Sequence, residues 1–198
     1  MTPDSHAQRK AKVYEAALAL TSQGVSPAAM TIQQLADAAG IGKGTVYEYF
    51  SSKEEILQDV ARYCFAQENE RIAARFDRCR TLVDLENELV DYLQEVAAQR
   101  MSTYRLLAVN FGQQAALPEY TNACRSQLTA IVDEMLIRLQ AAGEIDPALS
   151  LETCRTAMVC TTAGGLVALT CGAGGCYTPP DLPAQLRATL RRVLQPCK

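Results

Sequence analysis

Residues 31–53, TIQQLADAAGIGKGTVYEYFSSK, constrain this chain more than any other stretch. Two short helical patterns flank one glycine-bearing turn, and a third helix is capped directly afterwards. Thr31 can act as an N-cap, with Gln34 three residues on completing a capping box. Ile32, Leu35, Ala36 and Ala39 then fall at i, i+3, i+4 and i+7, a single inward face. Gly40 supplies a left-handed position that ends the helix. After Ile41 and Gly42, the segment Lys43–Phe50 predicts a second short helix with Val46 and Phe50 inward and Lys43, Thr45, Glu48 and Tyr49 outward. Ser52 and Glu55 predict another capping box, which places Lys53 in the first turn of a longer helix, where its amides and ammonium can meet a phosphate.

Two brief helices joined by so tight a turn cross steeply, and the second can then enter a DNA major groove about 12 Å wide. Lys43 and Thr45, at the leading end of that helix, suit base edges: an ammonium matches guanine O6 and N7, a threonine methyl the methyl of thymine. Gln33 and Gly44 belong to the same expected DNA face. Tyr47 and Tyr49 can offer hydroxyls to phosphates, although Tyr47 could equally be a core residue. Thr31 and Lys53 would clamp phosphates on either side, unless Thr31 serves only as a cap. Glu48 either accepts from a cytosine amino group or points to solvent. Arg9, Lys10 and Lys12 add either electrostatic attraction or a solvated charge cluster.

These residues resemble the TetR/AcrR family of bacterial transcriptional repressors. The likeness rests on Thr31-Ile32, Leu35-Ala36, Ala39-Gly40, Gly44-Thr45-Val46-Tyr47 with Tyr49-Phe50, and Lys53-Glu54-Glu55-Ile56-Leu57. It covers about the first quarter of the chain. It implies an all-helical protomer of about nine helices that dimerises through its last two long helices around an inducer cavity. Gly42 stands where the family often has a small polar residue, so one phosphate contact is missing.

Composition agrees with an all-α fold. The chain has 198 residues, no Trp and few aromatics, and no alternating β-branched run. Its length suits a small head and a larger body, expected as a helix-turn-helix DNA-binding domain over 1–53 and a helical ligand-binding and dimerisation domain over 54–198. The helix starting at Lys53 would belong to both. The net charge of -3 divides unevenly: through Lys53 there are five Lys or Arg against four Asp or Glu, and beyond it fourteen against eighteen. Phosphate contacts should be few and local, and the body should be repelled by the duplex.

Helices are expected from Ser5, with Gln8 as capping partner, from Lys53 to about Arg78, and from Thr81 and Asp84 onward. Others are expected over about 99–111, from Pro118 to about Ala142, over 150–169 and over 181–194. Gly112–Pro118 reads as a loop. In the penultimate helix Met158, Thr162, Gly165 and Leu169 form one line, and in the last Leu182, Leu186, Leu190 and Val193 form a stripe. Pairing the two helices with their copies through Gly165, Leu169, Leu186 and Leu190 would make a four-helix dimer interface. Alternatively, both helices complete the protomer's own core. Thr156–Pro180 holds no charge and is long enough to cross a bilayer, but its threonines, glycines and Pro179-Pro180 argue against a span.

An inducer cavity could draw on Phe65, Tyr92, Met101, Tyr104, Phe111, Tyr120, Cys124, Met158 and Thr162, with Tyr63 and Phe76 nearby, although such residues are more often plain core. Of eight cysteines, Cys154, Cys160, Cys171 and Cys176 cluster late, while Cys64, Cys79 and Cys124 are scattered. A thiol redox or soft-metal sensor is the alternative, yet no Cys-x-x-Cys occurs and His6 is the sole histidine. The opening MTPDSHAQRKAK has no apolar signal region, so a cytoplasmic protein with reduced thiols is expected. No nucleophile elbow or phosphate-cradling glycine loop favours an enzyme, and no cofactor is expected. The expected partners are a double-stranded DNA operator, a small-molecule inducer and a second copy, with no membrane. A non-DNA-binding helical adaptor remains the outlying reading.

Overall fold

The computed structural model describes residues 3–101, 103, 118–171 and 181–195. Among the described residues the chain is helical, with no strand. The elements are α1 (Pro3–Ser22), a 3-10 turn (Pro27–Ala29), α2 (Ile32–Ala39), α3 (Lys43–Tyr49), α4 (Lys53–Phe76), α5 (Leu82–Gln99), α6 (Pro118–Ala141), α7 (Leu151–Cys171) and α8 (Leu182–Leu194). The first helix begins at Pro3, two residues before the expected Ser5, because proline suits the first turn, where its missing N–H is not needed. The expected helix over 99–111 and loop over 112–117 lie outside the described residues for the most part.

Two compact units emerge: Met1–Glu68 with Arg100–Asn122, and Asn69–Gln99 with Ala123–Lys198. In the first, the core gathers Val13 and Ala17 of α1, Met30 after the 3-10 turn, Leu35 and Ala36 of α2, Val46, Tyr49 and Phe50 around α3, and Ile56, Val60 and Cys64 of α4. Helices as short as α2 and α3 are marginal alone, so their stability comes from this shared burial. Thr31 and Gln34 form the expected capping box, and Gly40 takes φ 65° at the C-cap of α2. The box expected of Ser52 and Glu55 is only half made. The Glu55 N–H donates to Ser52 Oγ at 3.1 Å, but its carboxylate accepts from the Ser51 N–H at 2.7 Å. Hydrogen bonds from Ser51 hold that carboxyl below the usual carboxylate range.

In the second unit, Leu82, Leu85, Leu89 and Leu93 of α5 form an inward stripe. They meet Met135, Leu136 and Leu139 of α6, Met158 of α7 and Leu186, Leu190 and Leu194 of α8. Thr81 and Asp84 cap α5 reciprocally at 3.1 and 2.8 Å. Arg191 grips Glu86, which is only 1 % exposed, through both carboxylate oxygens. Arg155 does the same to Asp133, with both bonds 2.8 Å.

Gly165, Leu169, Leu186 and Leu190 are corrected here: expected at a contact between copies, they pack within the protomer. Leu186 and Leu190 are buried, and Leu169 lies against the same core. A Cβ on Gly165 would stand 2.7 Å from Leu93 Cδ1 and 3.1 Å from both Leu186 methyls. The largest apolar side chains gain most from leaving water, so the leucine stripe turns to its own core. The outer face of α7 is instead Thr156, Val159, Cys160, Ala163, Gly164 and Val167, all exposed and none charged. No helix among the described residues is long and apolar enough to cross a membrane.

Candidate nucleic-acid interface and ligand cavity

The expected DNA face lies wholly in the first unit, on α2, α3 and the start of α4. Gln33, Lys43, Gly44, Tyr47 and Glu48 are exposed, and Thr45 is half-buried. Among the described residues Lys43 makes no ion pair, whereas Gln33 donates to Asp37 at 2.8 Å. Gly42 caps α3 without a side-chain hydrogen bond.

Gly44 is informative because a Cβ there would meet nothing within 4 Å. Glycine inside a helix costs roughly 0.5–1 kcal/mol relative to alanine. No described neighbour within the first unit requires it.

Three expectations change. Tyr49, placed outward by the sequence reading, is 8 % exposed, whereas Tyr47 is 51 % exposed. Val46, Tyr49 and Phe50 form an i, i+3, i+4 stripe, of which the pairing of Val46 with Phe50 is only a part. Tyr49 is covered from α1: the His6 ring meets it edge-on at 4.6 Å, and Arg9 Nη1 donates to its hydroxyl oxygen at 3.1 Å. Tyr49 therefore positions α3 and does not present its ring to a partner.

The hydroxyl of Thr31 is likewise engaged. It accepts from the Gln34 N–H at 3.2 Å and donates to Gln34 Oε1 at 3.0 Å, which makes it a cap and no phosphate donor. Lys53 braces the head by donating to the Ala28 carbonyl at 2.8 Å. Lys10 pairs with Asp59 at 3.1 Å and stands over the Phe50 ring at 4.9 Å. Tyr14 donates to the same carboxylate, and burial together with that negative charge pushes its pKa up to about 12. Lys10 is thus part of the head's structure.

The expected ligand residues scatter. Phe65 packs on the core of the first unit, where Met101 is half-buried. Tyr104 and Phe111 lie outside the described residues, as does the side chain of Tyr120. Cys124 is buried in the second unit, its carbonyl accepting from Asn69 Nδ2 at 3.4 Å. Among the described residues Tyr92, Met158 and Thr162 come together, in the wall of a cavity of about 220 Å³ in the second unit. Leu89, Val132 and Leu166 supply apolar wall, and the exposed Val159 and Ala163 mark its mouth. Sequence reasoning missed Arg75, which also reaches this wall; nothing in its sequence position distinguishes it from a surface arginine.

Burial raises the thiols of Cys64 and Cys79 to about 11 and pushes Cys154 upward too. A raised thiol holds less of the nucleophilic, metal-binding thiolate. Among the described residues no group of three or more His, Cys, Asp or Glu is placed to hold a metal ion.

A short helix closed by a glycine turn, followed by a second whose polar face points outward, defines a helix-turn-helix DNA-binding protein. Residues 13–60 match the family described as bacterial regulatory proteins, tetR family. The HTH-type transcriptional repressor BepR of Brucella suis biovar 1 (strain 1330) is 27 % identical over 165 residues, 80 % of this chain and 78 % of that protein. A putative TetR-family transcriptional regulator from Mesorhizobium loti superposes with TM-score 0.72 at 19 % identity, over 98 % of each chain. FadR from Bacillus subtilis, in complex with stearoyl-CoA, superposes with TM-score 0.66 at 20 % identity, over 94 % of this chain and 98 % of that one. Over residues 13–60 the chain is thus similar to bacterial regulatory proteins of the tetR family, and its fold is that of the TetR-type regulators it superposes on.

Proposed function

We propose that this chain is a ligand-responsive repressor that binds a palindromic operator as a homodimer and is released by a small-molecule inducer. The observation that carries the DNA reading is the outer face of α3. There Lys43 stands exposed and unpaired among the described residues, beside a Gly44 that no internal packing requires. Lys43 and Thr45 take base edges, and Gly44 lets the backbone come close. Tyr47 offers its hydroxyl to a phosphate, while Gln33 and Glu48 flank the contact. Lys53 directs its remaining N–H donors at a phosphate while bracing the head.

Support for a homodimer comes from the uncharged outer face of α7. A Cβ on Gly164 would meet nothing within 4 Å, so this second helical glycine also answers to no neighbour in its own chain. Small residues there permit two helix axes to approach closely. Two copies would present α3 to successive major grooves about 34 Å apart. A ligand in the second unit releases DNA if it binds the DNA-incompetent pose more tightly than the competent one. The name of BepR supports repression as the mode.

Selection of duplexes from a random library by the full chain tests this reading. The expected product is a two-fold symmetric site bound by a dimer. A chain that enriches no duplex is the helical adaptor instead.

A further inference from the structure

The 220 Å³ cavity also reports the chemistry of its occupant, an inference that rests on the inducer reading above. Among the described residues three polar side chains reach its wall: Arg75, Tyr92 and Thr162. Arg75 would be the natural anchor for a carboxylate or phosphate, but its guanidinium is already held. Nη1 donates to Glu88 at 2.9 Å and Nη2 to Glu95, while the plane lies 5.7 Å from the centre of the Tyr92 ring. Glu88 is shared in turn with Arg78 at 3.4 Å. An anion entering here must compete with carboxylates already in place, and a cation finds carboxylates already bound to arginines. Thr162 Oγ1 donates to the Met158 carbonyl at 2.7 Å, which leaves that oxygen as an acceptor. The remaining wall is aliphatic or aromatic.

Size narrows the class further. An apolar cavity of about 150 Å³ takes up benzene, so this one suits one or two rings. Scaled by carbon count from benzene, a stearoyl chain needs about 450 Å³, roughly twice the space. We infer that the cavity binds a neutral, mainly apolar molecule of one or two rings carrying at most one hydrogen-bond donor, directed at Thr162. It does not take a fatty-acyl thioester like the one bound by the FadR of similar fold.

Calorimetric titration of the full chain, without DNA, with 2-naphthol, its size-matched anion 2-naphthoate and stearoyl-CoA tests the assignment. 2-Naphthol should bind at least tenfold more tightly than 2-naphthoate, and stearoyl-CoA should not displace it. Glu95→Gln leaves Arg75 with one carboxylate and should narrow the gap by strengthening 2-naphthoate. Thr162→Val should weaken 2-naphthol about fivefold, the loss of one neutral hydrogen bond. Leu128→Trp, which fills the cavity from α6, should abolish binding with helical content retained. Equal or tighter binding of 2-naphthoate or stearoyl-CoA, no binding of any probe, or undiminished binding by the Leu128→Trp variant overturns the inference. The regulator reading fails separately: a chain that binds 2-naphthol but no duplex keeps the site and loses the repressor. One released from DNA by 2-naphthoate alone keeps the repressor and loses this ligand class.

Discussion

Cations are used differently between the packed helices of the second unit and on the outer face of α3 in the first. In the second, Arg75, Arg155 and Arg191 each grip carboxylates, and the pairs tie helix to helix. On the outer face of α3 in the first, Lys43 has no such partner among the described residues, although Glu48 lies only five positions along the chain. A paired cation holds a fold together, whereas one left in water keeps its charge for a partner. The helical glycines divide in the same way. Gly165 is demanded by leucines within its own unit, while Gly44 and Gly164 answer to nothing inside.

Arg191→Ala should show the largest effect on stability. It leaves Glu86 1 % exposed without its partner, and the melting temperature should fall by several degrees or more. Lys43→Ala should leave melting unchanged but weaken cognate DNA by about 1–3 kcal/mol and relax base preference at one position. Equal loss of stability in the two variants would erase the distinction between internal and outward cations.

The glycines give smaller, opposed effects. Gly165→Ala should cost about 1 kcal/mol through overpacking against Leu93 and Leu186. Gly44→Ala should stabilise the first unit by about 0.5–1 kcal/mol and at the same time weaken duplex binding. Urea titration and a gel-shift series on the same samples would show both signs. A Gly44→Ala chain that binds DNA like the parent removes the argument from close approach.

The least effect should come from alkali. Cys64 and Cys79 ionise near 11 in the folded state against an ordinary value of 9.0. Between those values the unfolded chain has released protons that the native chain retains. Their contribution is therefore complete below pH 9 and is lost as pH rises toward 11. Cys79→Ala should flatten that decline in a denaturation series from pH 8 to 10.

Much of the first unit was legible in the sequence because its signals are local. The Thr31–Gln34 cap, the Gly40 stop and the apolar spacing of α2 each lie within a few residues. Tyr49 was read as outward because the cover on it comes from His6 and Arg9, some forty residues earlier. The helix spans of the second unit were equally readable, as Asp181 capping α8 shows. Which stripe faces inward was not. The inward lines of α7 and α8 suit either a partner or the protomer's own core, and only the packing of α5 against both decides. Of the cavity, Tyr92, Met158 and Thr162 were anticipated as types, but their convergence with Arg75 depends on long-range packing.

The central claim is that α3 presents an outward face to DNA, twice. It is met most directly by footprinting the full chain and its Lys43→Ala variant on a duplex selected from random sequence. Two protected major-groove segments about 34 Å apart are expected, with both losing protection in the variant. Protection of a single segment by the parent chain, or a footprint that the Lys43→Ala substitution leaves unaltered, would contradict it.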